Sequence, residues 1–435
     1  MSVRAAPGRW PLLGHTPALV RRPIPFTAGL REHGDVVTLF LGRLHTYFVT
    51  NPEIIHRVLV TNGSSFGSGF MFRKFRPYVG NGLALSDEPF HRRQRKLMLP
   101  AFGQQHLRRY AENWVRATTA LAESWRPGEV RQIDADMQAL AMTNVGEALF
   151  GTELGEEAIR EARRSIPLII QLGMYRVLSP GFAEKLPFNR RFDQAIARMK
   201  AVVQELMASR DADTDHGDLL STLLLARDAE TGERMTREQV HDEVMTLLTA
   251  GTETTALILA WTCHELGRDP ALAERVRAEA DQVLGGRPAT FDDLPALVCT
   301  GHVVSEVLRM YALWILMRRT EQEIDLGPVR LRPGDEVMFS PLTMHTDPRY
   351  WDHPEVFDPD RWSTERVRSL PPGVFIPFGN GIRQCIGRLF AQAEVVLGVA
   401  TIFARWRLEP TGPVRVRYTT IAYPRGMPMT VRPRN

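Results

Sequence analysis

Cys385 lies in the run Phe378-Gly379-Asn380-Gly381-Ile382-Arg383-Gln384-Cys385-Ile386-Gly387. Two glycines precede the thiol and one follows it, which permits backbone conformations that other residues resist. Helical sequence begins directly afterwards, at Arg388-Leu389-Phe390-Ala391. The thiol therefore sits at the start of a helix, where N–H groups and the positive dipole end favour a thiolate. Arg383 adds a cation two residues away. Such a sulfur can serve as a nucleophile or as a metal ligand. No second Cys or His stands at zinc spacing nearby, which argues against a four-ligand zinc site. A nucleophilic thiol would want a His base from elsewhere in the chain. A thiolate on a haem iron needs no other protein ligand on its side. Cys263 and Cys299 read as small buried hydrophobes.

A second chemical feature interrupts a long helix. The spacing of Val240, Val244, Leu247, Leu248 and Gly251 predicts a helix from about Thr236 to His264. Thr236 and Gln239 form a capping-box signature at its start, and Gly267 and Pro270 lie past its end. At 1.5 Å per residue such a helix crosses a whole domain. Its middle reads Ala250-Gly251-Thr252-Glu253-Thr254-Thr255. Gly there costs about 1 kcal/mol relative to Ala, and threonine hydroxyls bond back to carbonyls and bend helices. The bland explanation is a close helix contact; the functional one is a distortion beside a site.

Around these features the chain looks like an ordinary globular protein. It has 435 residues, 44% apolar and 24% charged, with a net charge of only +4. That excludes a disordered, collagen-like or rod protein and gives no case for nucleic-acid binding, although a local basic patch remains open. Three cysteines cannot staple a chain of this size and suggest a reducing compartment. No run reads as a membrane span or a secretory signal, so a cytoplasmic protein without a membrane anchor is expected. Val36–Leu41 and Leu44–Thr50, joined through Gly42-Arg43, read as a hairpin. Helical signals dominate from His91, and short strands return near Ile324–Phe339. The fold class expected is mainly α with a small β region, the long helix central.

The Cys385 segment, Ala250-Gly251-x-Glu253-Thr254-Thr255, Glu306-Val307-Leu308-Arg309 and Phe357-Asp358-Pro359-Asp360-Arg361-Trp362 occur in that order. A lone Glu-x-x-Arg means nothing, since any exposed helix can carry an i,i+3 pair. All four together resemble the cytochrome P450 family of haem-thiolate monooxygenases, from about Pro7 to the C-terminus. The resemblance implies one haem domain over residues 1–435, with heme b (iron protoporphyrin IX) between the long helix and the cysteine loop. Cys385 would be the axial thiolate, favouring O–O cleavage. Phe378, Gly379, Gly387, Ala250 and Gly251 would border the haem, and Gly381 would permit the tight loop. Glu306, Arg309 and Arg361 would form a buried structural triad. His91 and Arg95, four apart on one helix face, and Arg383 would meet the propionates. So would Arg318 or Arg319. Glu253 and Thr254 would be the catalytic acid–alcohol pair, the carboxylate facing outward to relay protons from solvent.

The family's proline pair is missing after Arg309, where the sequence reads Met310-Tyr311-Ala312-Leu313-Trp314. No dinucleotide fingerprint is present, so NAD(P)H electrons would arrive through ferredoxin and ferredoxin reductase. The basic His91–Lys96 helix, Arg383 and Arg388 would steer that acidic partner. By position, Phe70, Met71, Phe72, Ile170, Met174, Leu247, Trp314, Ile315, Met317 and Ile421 would line a pocket for an apolar guest. Phe70-Met71-Phe72, Val79-Gly80-Asn81-Gly82-Leu83 and His91-Arg92-Arg93-Gln94-Arg95 resemble bacterial terpene-oxidising members. That implies a sesquiterpene or other terpenoid in secondary metabolism, such as antibiotic biosynthesis, handled by a monomer. Rivals are a macrolide, steroid or fatty acid hydroxylase, a non-catalytic haem sensor or carrier, and a non-haem thiol enzyme.

Overall fold

The computed structural model describes residues 3–151, 156–178, 189–208, 210, 213–363, 365, 369–418 and 421–434. The long helix spans Arg237–Arg268. Thr236 and Gln239 close the expected capping box at its start. It continues through Gly267, because Asp269 both ends it and caps the next helix, Pro270–Leu284. It stays α-helical across residues 250–255. Thr252 and Thr254 donate to the carbonyls of Leu248 and Ala250 at 2.8 and 2.6 Å, so the hydroxyls are satisfied without a break. A Cβ on Gly251 would meet Val145 of the helix Ile133–Phe150 at 3.4 Å, an ordinary van der Waals contact, so packing against that helix does not by itself require glycine here.

This central helix is the one described element long and apolar enough to cross a membrane, and 72% of its apolar window is buried in the fold. Against it pack the helices Ile133–Phe150, Val298–Met310 and Arg388–Phe403, and Gln104–Ser124 packs in turn on the first and last of these. Their apolar faces share one core that includes Trp114, Trp261, Val303, Val307 and Leu397. A second core, with Leu83, Met98, Val145, Phe192 and Val244, joins the first half of the central helix to the helices Phe90–Met98 and Arg190–Ala208.

The β structure lies to one side. Val36–Leu41 and Leu44–Val49 pair antiparallel with Val36 opposite Val49. Glu336–Phe339 adds parallel to the second strand. Leu316–Thr320 and Phe66–Ser68 complete a five-stranded sheet. More strand is present than the sequence pattern indicated. Val130–Gln132, Pro428–Pro433 and Trp406–Pro410 form a three-stranded sheet, and Val416–Tyr418 pairs with Ala422–Pro424. The partner Val130–Gln132 is nearly 300 residues from Pro428–Pro433 along the chain, a pairing that local patterning cannot reveal.

Candidate functional site

Between the central helix and the cysteine loop lies a cavity of about 540 Å³. Ala250, Gly251, Glu253, Thr254 and Thr255 line one wall. Phe378, Gly379, Cys385 and Gly387 line the other. The cysteine loop is held tightly. Gly379 and Gly381 take φ of 67° and 69°, and a Cβ on Gly381 would collide with the Leu59 carbonyl. The Cys385 N–H donates to Phe378 O at 2.9 Å, and the helix Arg388–Phe403 starts three residues later.

The electrostatics of the thiol differ from the sequence expectation. Burial beneath the outer surface raises the Cys385 thiol, so its accessible side is cavity wall. The Gly387 N–H, Arg95 and Arg388 pull it back down; Arg383 is not among the groups that act on it. Desolvation outweighs the helix start here. A free thiolate nucleophile is therefore disfavoured, whereas a coordinating metal deprotonates a thiol outright.

Four basic side chains, His91, Arg95, Arg318 and Arg383, reach the same cavity. Arg383 donates to Ser86 O at 2.8 Å, yet its buried Nε and Nη2 have no hydrogen-bond partner. Its nearest carboxylate, Asp87, is 4.0 Å away. Arg318 is buried and donates to Met317 O; burial first, then the Arg383 charge, lowers it to about 9. Arg95 donates to Gln384 O at 2.7 Å. Arg319 stands apart, opposite Glu336 in the strand ladder and 3.9 Å from its carboxylate. Of the two arginines, then, Arg318 faces the cavity. Buried cations with unused donors on an otherwise apolar wall fit a flat amphiphile carrying carboxylates, as haem does.

His91 is placed as expected but its proton is not. Nδ1 lies 2.9 Å from Glu88 Oε1, and a carboxylate acceptor puts the ring proton on Nδ1. Burial, then the Arg383 charge, lowers the ring to about 4. Neutral His91 thus offers an acceptor at Nε2 and would donate to a propionate only when protonated. Arg92, Arg93 and Lys96, further around the same helix, pair with Glu88, Asp228, Glu233 and Glu230. These pairs leave that helix weaker as an electrostatic guide than its sequence implied.

Glu253 does not face outward. It is buried, neither carboxylate oxygen has a partner, and burial raises it to about 7. Tyr423, hydrogen-bonded to Gln171, is close enough to feel its charge. Thr254 lines the cavity with its hydroxyl bonded back to Ala250.

The triad residues come together away from the cavity. Arg309 Nε and Nη2 donate to the two Glu306 oxygens at 2.9 and 2.8 Å, and Arg361 Nε donates to Oε1 at 2.9 Å. Trp362 Nε1 and the Asp358 N–H complete the carboxylate shell, and both were missed in the sequence. Without the family's prolines, Tyr311 stacks on Trp261 at 4.1 Å and holds Glu265 through its hydroxyl.

Of the pocket candidates, Met71, Phe72, Ile170, Leu247, Ile315, Met317 and Ile421 line the cavity. Trp314 and Phe70 do not line it; both pack in the core under the first hairpin. The Met174 side chain lies outside the described residues. Phe75 and Val79, from the stretch 66–84 expected to line the pocket, do so as well; Val145, Ala148 and Leu149 line it unanticipated, because tertiary packing alone brings their helix there. Another missed device holds the roof. Asp242 accepts from Asn81 N at 2.7 Å and Glu243 from Leu83 N at 2.8 Å. Gly80 and Gly82 lie so close to the central helix that a Cβ on either would strike Asp242 or Thr246. The signal was a carboxylate, Glu243, on the same face as Val240, Val244 and Leu247.

Comparison with known proteins agrees with this geometry. The sequence profile of the family Cytochrome P450 matches residues 5–425. Cyclooctat-9-en-7-ol 5-monooxygenase of Streptomyces melanosporofaciens is 42% identical over 93% of this chain and 89% of its own. Cyclooctatin synthase of the same organism is 39% identical over 95% and 91%. Pentalenene oxygenase of Streptomyces avermitilis is 37% identical over 97% and 95%. The crystal structure of the cytochrome P450DA heme domain superposes with a TM-score of 0.89 at 26% identity, covering 100% of this chain and 98% of that one.

Proposed function

Because the chain belongs to the cytochrome P450 family, we propose that residues 1–435 form one haem domain, a monomeric cytoplasmic monooxygenase that oxidises a terpenoid. The overall reaction converts R–H, O2, two electrons and two protons into R–OH and water. The carrying observation is Cys385 facing Gly251 and Thr254 across an apolar cavity that buried, under-bonded arginines also reach. Two relatives named as oxygenases, cyclooctat-9-en-7-ol 5-monooxygenase and pentalenene oxygenase, support the substrate class, as does the scarcity of polar groups on the wall.

Bound haem b supplies reductive activation of dioxygen, which no side chain can. Cys385 would supply its thiolate ligand. Arg95, Arg318 and Arg383 would hold its carboxylates, with His91 joining when protonated. Thr254 orders water beside the reacting centre. Glu253, held near 7 by burial, gives and takes protons at neutral pH with little penalty either way. Tyr423, hydrogen-bonded to Gln171, is near enough to that buried carboxylate to feel its charge and is the group through which a proton would next pass. Met71, Phe72, Ile315 and Met317 hold the guest by shape. Electrons come from NAD(P)H through a ferredoxin and its reductase.

The test is the absorbance difference of dithionite-reduced protein with and without carbon monoxide. A strongly red-shifted Soret band, lost in Cys385→Ala, is the expected result. Folded protein that takes up no supplied haem would refute the assignment. A terpene panel read by the ferric spin shift then tests the substrate class; no response to any terpene, with a response to a macrolide or fatty acid, would overturn it.

A further inference from the structure

The first 31 residues contain Arg4, Arg9, Arg21, Arg22 and Arg31 and no Asp or Glu, a charge of +5 in a chain whose total is +4. Among the described residues, only Arg31 of these has a carboxylate within ion-pair distance, Asp347 at 3.7 Å. Arg9 lies over the Phe40 ring instead. Arg4, Arg21 and Arg22, and Arg43 of the adjoining hairpin, are exposed.

The same region exposes large apolar side chains. Trp10 is 51% exposed, Leu12 79%, Leu13 49% and Val20 47%. Isolated exposed leucines need no explanation. Here four such side chains fall within eleven consecutive residues, while the other seven among the described residues are spread over the remaining chain. Their display is rigid. Trp10 and Gly14 exchange backbone hydrogen bonds at 2.8 and 3.0 Å, and Leu12 between them takes φ of 61°. That left-handed conformation is unfavourable for a leucine. The tip is fastened to the strand Val36–Leu41: His15 N–H donates to Phe40 O, and His15 Nδ1 accepts from Phe40 N at 3.0 Å. A Cβ at Gly14 would collide with Phe40 O.

We infer that the Trp10–Val20 face is a docking surface for an anionic lipid bilayer. An indole and two leucines exposed on one tight turn suit shallow insertion at the headgroup boundary, where Trp concentrates. Unpaired arginines around them complement anionic headgroups. The apolar core under the patch, with Leu19, Leu39 and Ala6, is continuous with Met71, Ile315 and Met317 of the cavity wall. An enzyme for lipid-soluble guests would thus sit where those guests partition. The docking itself does not depend on which guest is oxidised.

The experiment is co-sedimentation of the holoprotein with phosphatidylcholine–phosphatidylglycerol vesicles, with pure phosphatidylcholine vesicles as control. Binding is expected to the anionic vesicles and to weaken with added salt. The double change Leu12→Ser, Leu13→Ser should weaken it at least about tenfold, and Arg21→Glu with Arg22→Glu about fivefold per charge removed. The reduced–CO spectrum of each variant must stay unchanged, showing an intact haem domain. Absence of binding to anionic vesicles at low salt overturns the inference, as does binding indifferent to both variants. If the leucine variant instead shifts oligomeric state or ferredoxin-driven reduction with no vesicle binding, the face belongs to a protein interface and the inference fails.

Discussion

Two pairs of buried arginines do opposite things in this molecule. Around Glu306, Arg309 and Arg361 find partners within the protein: the carboxylate and the carbonyls of His345, Pro354, Val356 and Asp352. On the cavity wall the Arg318 and Arg383 side chains are also largely enclosed, yet Arg383 keeps Nε and Nη2 unbonded and Arg318 makes one hydrogen bond to its neighbour's carbonyl. The first pair is a finished framework. The second is half of an interaction whose other half is a ligand. Burying a cation with unused donors is strongly unfavourable, so the difference separates structural from binding roles without reference to conservation.

The comparison is broken most directly at the framework. Glu306→Gln leaves two buried guanidinium groups without their counter-charge and should cost on the order of 3–5 kcal/mol. Against a typical stability of about 5–15 kcal/mol, the expected outcome is a sharply lowered urea midpoint and poor recovery of folded protein. Arg383→Leu removes an under-bonded cation, so the unfolding midpoint should change little. Haem retention should fall instead, with haem transfer to apomyoglobin about tenfold to a hundredfold faster. If both variants unfold alike, the distinction between the two arginine pairs is wrong.

A finer effect is expected at the helix wall. Thr254→Ala should retain haem and the substrate-induced spin shift, because the hydroxyl's bond to Ala250 is local. Product per NAD(P)H consumed should drop, with the missing electrons recovered as hydrogen peroxide. Unchanged coupling would remove Thr254 from the proton path.

What the sequence made legible was local. The glycines around Cys385, the capping box at Thr236 and the two β-prone runs of the first hairpin with the glycine turn between them each act over a few residues, and the structure contains all three. Arg318 and Arg319 could not be separated, because a register slip of one residue exchanges the two faces of a strand. Pairing of Arg319 with Glu336 across the ladder decides it. Trp314 looked like pocket lining by position, yet its strand neighbourhood turns it into the hairpin core. Glu253 was misjudged because neighbouring helices and strands, not its own sequence, bury it. Trp362 was quoted next to Arg361 without being given a part; its indole N–H on Glu306 is a tertiary fact.

The contrast extends to carboxylates. Glu306 is surrounded by donors, whereas Glu394, on the helix after Cys385, has one partner, the Asn144 amide at 2.7 Å, and an unbonded Oε2. Burial raises Glu394 from 4.5 to about 8, and the Asn144 hydrogen bond only partly opposes this. The folded state therefore holds a proton that the unfolded chain releases above the ordinary glutamate range. Stability is unaffected at low pH, falls as pH rises through that interval, and levels off above the folded value. Glu394→Gln keeps a carbonyl to accept from Asn144 and removes the titration. Its melting temperature should exceed that of the parent by a few degrees at pH 8 and match it near pH 4.5. A constant offset across that range would mean that Glu394 has a charge partner in solution and belongs with Glu306 after all.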